Sequence, residues 1–393
     1  MRSLCLIAIS LLGLAGCSPP FSTVGFQKKI DIPLNNGRVA TALGLGDLDG
    51  DHDQDILVTS NQNELLALIS KGDGSFATGV SYPLDTIGNQ SARTIAVGDL
   101  TGDGLADVVV GNTEQSTISL FLNGDGGRLM ANPPSINIGC QPIRMQLFDI
   151  TGDGLNDLII ACQNPNEIRV LRNQASNTNA LFSAPYTHSY SITTDQGQIP
   201  LIRAMTIGNL NDDNQPDIAI GTDLGLRIIN SPKPNQTSSS DYVISVPVAG
   251  RISALSTGDF MGDHSLDVSA IVDGQAVQIF SYEGFGSYNK HSIYKNLSSP
   301  GRSPTYDLVS ADISNDGRSD LLMLFSNPSE IKSIISQGEV GTVEAPAFLS
   351  YSYSSGLDVC DGCLSAGDIS GDGKPDLVLR NKNQISVLLN SAL

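Results

Sequence analysis

The residues of this chain best equipped for chemistry are aspartates, and they recur in a fixed arrangement. A nine-residue run appears seven times in the 393 residues: Asp47 to Asp55, Asp99 to Asp107, Asp149 to Asp157, Asn209 to Asp217, Asp259 to Asp267, Asp312 to Asp320 and Asp368 to Asp376. Side-chain oxygens at positions 1, 3, 5 and 9, with a main-chain carbonyl at position 7, can wrap one hard cation. The candidate ligands are Asp47, Asp49, Asp51, Asp53 and Asp55 in loop one, and Asp99, Thr101, Asp103, Leu105 and Asp107 in loop two. Loop three offers Asp149, Thr151, Asp153, Leu155 and Asp157, and loop four Asn209, Asn211, Asp213 and Asp217. Loop six offers Asp312, Ser314, Asp316, Arg318 and Asp320, and loop seven Asp368, Ser370, Asp372, Lys374 and Asp376. At Leu105, Leu155, Arg318 and Lys374 the ligand is the carbonyl.

The all-oxygen donor set selects calcium over zinc, which wants His and Cys. The start of each run resembles an EF-hand loop, but the closing acid stands at position 9 and no helices flank it. The loops hold 23 of the 41 acidic residues, and so many carboxylates packed together repel unless a cation sits among them. The competing reading is that the aspartates only make turn and cap hydrogen bonds. The copies are unequal: loop one has His52 at position 6, where a sharp turn wants glycine, and loop four is poor in charge. Loop five has Met261 where an oxygen is needed. About five to six Ca²⁺ sites are expected, weaker in loop four and absent from loop five.

Each loop must be held between rigid elements. Runs such as Thr94 to Gly98 precede the loops, and Ile56 to Val58, Val108 to Val110 and Leu377 to Leu379 follow them. Short continuous apolar runs bounded by turn residues predict strands buried on both faces. A third segment, as in Thr117 to Leu122, alternates, and a weaker fourth, as in Gly79 to Pro83, follows a glycine-rich turn. Four short strands per repeat of about fifty residues predict the blade of a propeller.

The ends of the chain sharpen this expectation. The last repeat stops after its third strand, while Val24 to Ile32 near the N-terminus alternates as a strand with one buried face requires. An N-terminal strand would complete the last blade and remove the open edges that a solenoid of seven repeats would need caps to cover. The pattern resembles the FG-GAP/VCBS repeat family, which includes the propeller of integrin α-subunits. The resemblance covers about Phe21 to Leu393 and implies an all-β, seven-bladed β-propeller with calcium-binding loops between the first two strands of several blades. The propeller domain is placed at 23–393.

Residues 1–16 have the form of a signal peptide: Arg2, then an apolar stretch from Leu4 to Gly16, too short to span a bilayer. Leu14-Ala15-Gly16-Cys17 resembles a bacterial lipobox, which implies cleavage before Cys17, lipidation of Cys17 and a tether over 17–22; an ordinary signal with an incidental cysteine is the alternative. Ser18 after the lipidated cysteine points to the outer membrane. Cys140 and Cys162 flank the strands around loop three at a spacing compatible with a disulfide, and Cys360 and Cys363 form a Cys-x-x-Cys pair, expected as a local disulfide rather than a redox motif. Residues 173–179 and 232–240 are expected as surface loops.

A net charge of -19 argues against a phosphate-backbone ligand and against charge-driven adhesion to an anionic membrane. The four histidines lack a nucleophile partner in any recognisable motif, and no glycine-rich string opens a helix. The expected function is a non-enzymatic, calcium-stabilised, monomeric adhesion propeller at the cell envelope, binding a protein or glycan and touching the membrane through its lipid alone. The alternatives are a propeller-based polysaccharide lyase or hydrolase, and an envelope-assembly scaffold. The absence of Trp weakens a sugar-stacking groove.

Overall fold

The structure is a computed structural model that describes residues 26–84, 92–124, 127–130, 135–174, 182, 187–193, 197–230, 243–295, 307–326, 329–336, 347–352 and 363–390. The signal segment 1–16, the tether 17–22 with Cys17, the loop 232–240 and Cys360 lie outside the described residues.

Seven four-stranded antiparallel sheets form the blades of a β-propeller. Blade one is Ala40–Gly46, Asp55–Ser60, Glu64–Leu68 and Val80–Pro83. Blade two is Ala92–Gly98, Asp107–Asn112, Thr117–Phe121 and Ser135–Asn137. Blade three is Gln141–Phe148, Asp157–Gln163, Glu167–Leu171 and Thr187–Ser191. Blade four is Ile202–Gly208, Asp217–Thr222, Gly225–Ile229 and Val243–Val246. Blade five is Ile252–Gly258, Asp267–Val272, Ala276–Gly284 and Ser287–Lys295. Blade six is Asp307–Ala311, Asp320–Ser326, Ser329–Ile335 and Ala347–Ser352. Blade seven takes Leu364–Gly367, Asp376–Asn381 and Gln384–Asn390 from the end of the chain and Phe26–Pro33 from its start.

The first strand of every blade touches the first strand of the next, and blade seven returns to blade one, so these strands line a closed central channel. The second strands are sandwiched and fully buried in blades one, two, four and five, as their unbroken apolar runs require. Seven hydrophobic clusters hold the ring together, one in each seam. In the seam of blades one and two, for example, Leu57 and Leu65 meet Val108 and Phe121. In that of blades three and four, Ile159 meets Ile218. Burying an Ile, Leu or Val stabilises by about 1.5–3 kcal/mol, and the seams repeat this many times.

Closure by the N-terminal strand is borne out: Ile30 pairs with Val387 and Ile32 with Ile385, with a bulge between Phe26 and Lys28. Cys140 and Cys162 form a disulfide in blade three, Cα–Cα 5.7 Å, within the cluster between blades two and three. Cys363 is disulfide-bonded. One expectation is corrected. Asn173, assigned to a surface loop, is buried at 3% exposure because the neighbouring blade needs its amide.

Candidate functional site: the ring of acidic loops

Every acidic loop joins the first strand of its blade to the second, so all seven stand on one face of the propeller. Within a loop the position-1 carboxylate organises the turn. Asp99 accepts the N–H of Gly102 at 2.6 Å and of Gly104 at 2.8 Å, and Asp149 treats Gly152 and Gly154 alike at 2.7 and 2.8 Å. The position-5 carboxylate accepts the N–H of position 7, as Asp103 does from Leu105 at 2.9 Å. Positions 4 and 6 both adopt the left-handed backbone. Gly102 and Gly104 have φ of 78° and 87°, and the non-glycine copies follow them, with His52 at 76° and His264 at 69°. The requirement at position 4 escaped the sequence reading, although Gly stands there in five loops.

Position 9 does something the spacing alone did not disclose. Asp55, Asp107, Asp217, Asp320 and Asp376 are 0% exposed. In six loops Oδ2 accepts the N–H of position 2: Leu48 and Leu100 at 2.7 Å, Leu210 at 2.9 Å, Phe260 and Ile313 at 3.1 Å and Ile369 at 3.0 Å. The other oxygen reaches the residue after the third strand. Asp55 accepts from Ser70 N–H, Asp107 from Asn123, Asp157 from Asn173, Asp320 from Ser336 and Asp376 from Asn390, at 2.6–2.8 Å. The side chain of that residue then donates to the position-2 carbonyl of the preceding blade's loop. Asn123 donates to Leu48 O and Asn173 to Leu100 O at 2.7 Å, Ser336 to Phe260 O and Ser70 to Ile369 O at 2.7 Å, and Asn390 to Ile313 O at 3.0 Å. Main-chain bonds run the same way: Ala106 N–H donates to Asp47 O, Gln54 to Asp368 O and Ser319 to Asp259 O. These bonds tie loop three to two, two to one, one to seven, seven to six and six to five.

Burial pushes the position-9 carboxyls up despite these hydrogen bonds: to about 7 at Asp55 and Asp320, and to about 6 at Asp107, Asp157 and Asp267. Asp376 is raised for the same reason. Asp49 is raised by burial and then by Asp51.

Among the described residues, ligand oxygens of Asp47, Asp49 and Asp55 alone form a carboxylate triple within 4.8 Å of one another. Asp51 is engaged by the N–H of Asp53 at 2.9 Å. Asp53 leans out of its loop toward loop seven, where a Cβ on Gly371 would collide with its carboxylate. In loops two and three the third oxygen belongs to threonine. Thr101 Oγ1, Thr151 Oγ1, Asn209 Oδ1 and Asp157 Oδ2 are buried without a hydrogen-bond partner. Each occupies a ligand position, and such orphaned oxygens normally cost stability. An oxygen-coordinated cation would satisfy them, so the donor set fits one. In loop five Met261 is 4% exposed and packs into the core, taking position 3 away from any ion.

The first strands of blades one to four line an open recess of about 350 Å³, bordered by Gly44, Leu45, Ile95 to Val97, Met145 to Phe148 and Ile207. Gln146 is its one polar side chain among these, and His52 and His264 stand on the acidic loops instead, their side chains 95% and 96% exposed.

Fold and loops define a class: a seven-bladed propeller whose blades are pinned through acidic turns. Within that class it carries FG-GAP-like repeats, whose family model matches residues 47–110 and 99–160, which bears out the family resemblance read from the loops. No curated protein matches the chain in sequence. Among solved structures it is similar to BBS1N in complex with ARL6DN (TM-score 0.58, 13% identity, covering 94% of this chain and 98% of that one). It is also similar to a streptogramin B lyase (TM-score 0.56, 12% identity, 93% and 98%). A third is virginiamycin B lyase from Staphylococcus aureus (TM-score 0.54, 12% identity, 92% and 99%). At these identities the likeness concerns the fold.

Proposed function

We propose that this chain is a calcium-stabilised binding propeller, lipid-anchored at the bacterial cell envelope through Cys17, that presents its loops to a protein or glycan partner and catalyses no reaction. The observation that carries the calcium reading is the set of buried, partnerless oxygens at ligand positions, Thr101, Thr151, Asn209 and Asp157, beside the Asp47, Asp49 and Asp55 triple. Bound there, the ion would neutralise carboxylates and fix each turn between two strands. The loops are where variation is cheap and the ring is where stability lies, the usual division for a binding scaffold. The BBS1N relative is a propeller solved in complex with a partner, which supports a binding role by analogy of fold.

The test is thermal unfolding of the purified mature protein. Millimolar Ca²⁺ is expected to raise the midpoint by at least ~5 °C over metal-stripped protein, since saturation well above Kd contributes several kcal/mol per linked set of sites. Unchanged melting would overturn the reading.

A further inference from the structure

The hairpin formed by Ala276–Gly284 and Ser287–Lys295 in blade five has longer strands than the corresponding pair of any other blade among the described residues. Ala276 stands opposite Val272 and Phe280 opposite Val268, so the third strand runs back past Asp267 and continues to Gly284. At about 3.4 Å per residue, the extension carries the tip on the order of 10 Å beyond the blade, on the face of the acidic loops. Gly284 pairs with Ser287, leaving Phe285 and Gly286 as a two-residue turn with φ of 52° and 74°. Such a turn ordinarily takes Asn-Gly, and a bulky residue in this region is an outlier. Phe285 is fully exposed at 108%, whereas the other exposed large apolar side chains among the described residues reach at most 60%.

The turn is held from beneath. The Tyr282 hydroxyl accepts the N–H of Gly286 at 3.3 Å, and its ring lies 5.4 Å from that of Tyr288. Tyr288 packs on the cluster shared with blade four, and a Cβ on Gly286 would lie 3.2 Å from Ile244 Cδ1. The scaffold beneath is ordered by packing, yet the ring on top buries nothing. A residue that is strained and makes no contact does not serve the fold.

We propose that Phe285 is the anchor by which this propeller grips a partner protein, inserting its ring into an apolar pocket rimmed by Lys and Arg. The basic rim follows from charge. Glu283 is exposed beside the tip, and Asp212 and Asp213 of loop four lie close enough to act on Tyr288 at its base. They outweigh Lys290 farther down the hairpin, and the chain as a whole carries -19. An anionic bilayer is repelled by that surrounding, and a ring standing alone on a tip lacks the flanking groove of a sugar platform. A buried aromatic at the centre of an interface is the usual dominant contributor to binding. This inference rests on the reading of the molecule as a binding propeller and adds the face and the residue.

Two measurements test it. Phe285→Gly in the purified protein is expected to raise the melting temperature by about 1–3 °C, because glycine relieves the backbone and no packing is lost; a fall would assign the ring to the fold and overturn the proposal. For binding, the photo-crosslinker p-benzoylphenylalanine is placed at position 285, or at position 224 on the opposite face, in cells that make the protein. The adduct from position 285 is identified, the partner purified, and its affinity measured. A loss of at least ~10-fold with Phe285→Ala, and weakening as salt rises, are expected. An adduct from position 224 alone would sink the anchor and leave the binding reading standing; no adduct from either would sink both. Sedimentation with 3:1 phosphatidylcholine–phosphatidylglycerol vesicles, or glycan-array binding, that depends on Phe285 would overturn the protein assignment.

Discussion

Asp107 is asked to do two things at once. Both its oxygens accept main-chain N–H groups, from Leu100 at 2.7 Å and Asn123 at 2.6 Å, while it also stands at a candidate ligand position. Asp107→Asn turns one acceptor into a donor facing a buried N–H, so stability is expected to fall by about 2–4 kcal/mol. The loss should be seen in denaturant titrations with or without calcium. Asp103→Ala, at an exposed position, should matter only when calcium is present. The same burial sets a pH dependence. Folded-state pKa values raised to about 6 or 7 at Asp55, Asp107, Asp157, Asp267 and Asp320 mean that the folded protein binds protons the unfolded chain has released. Their contribution is fully present below about pH 4 and lost as pH rises through 6 to 7. Metal-stripped protein should therefore melt higher at pH 5.5 than at pH 8, and saturating calcium should shrink or reverse that difference; a lower midpoint at pH 5.5 in the stripped protein would contradict the burial. The spacing of the aspartates made them legible as ligands. Their second role was not, because Asn123 and Asn173 lie 16 residues downstream and act on a different blade. No local window contains both partners. What the sequence did hold was an Asn or Ser at the end of most third strands.

At the scale of the loop, the inequality of the copies becomes a count. Met261 fills position 3 of loop five and is buried among Phe260, Ile271 and Leu321. An apolar side chain there gives the loop the packing that an ion would otherwise give it. The double replacement Asp259→Ala with Asp263→Ala is expected to leave calcium stoichiometry unchanged in titration calorimetry or native mass spectrometry. Asp99→Ala should remove one ion. Loss of an ion from the loop-five variant would show that the methionine does not exclude metal. Strands were easier to read than the ties between loops. A second strand such as Asp107–Asn112 is buried on both faces and advertises this as an unbroken apolar run. The bond from Ala106 N–H to Asp47 O uses main-chain atoms, which carry no residue signature. Glycine at position 6 was read as a turn, but position 4 shows the same left-handed backbone in Gly50, Gly152 and Gly371. Both are needed because the chain reverses twice around one carboxylate.

At the scale of the ring, one strand decides whether the molecule is closed. The sequence made this visible, since only two strands follow the seventh loop and the last repeat is left one strand short. Phe26–Pro33 completes blade seven, and its side chains enter two seams: Phe26 faces the cluster of blades six and seven, Ile30 and Ile32 that of blades seven and one. Asp31 adds a bond from Ser386 at 2.6 Å. Removing residues 1–33 would strip the Gln384–Asn390 edge and reopen both seams. Two isoleucines half-withdrawn from water and a ladder of main-chain bonds are together worth several kcal/mol, or about 5–10 °C in melting temperature for a chain of this size. The bare edge would also template association between copies. Removal of residues 1–25 alone should cost nothing measurable, which separates the strand from what precedes it. A circular permutant that carries residues 24–34 after Leu393 restores the blade with a different connectivity, and should melt with the intact protein and stay monodisperse. If that permutant melted with the 1–33 truncation instead, the connection to blade one through Leu34 to Val39, rather than the pairing with Gln384–Asn390, would be what holds the ring shut.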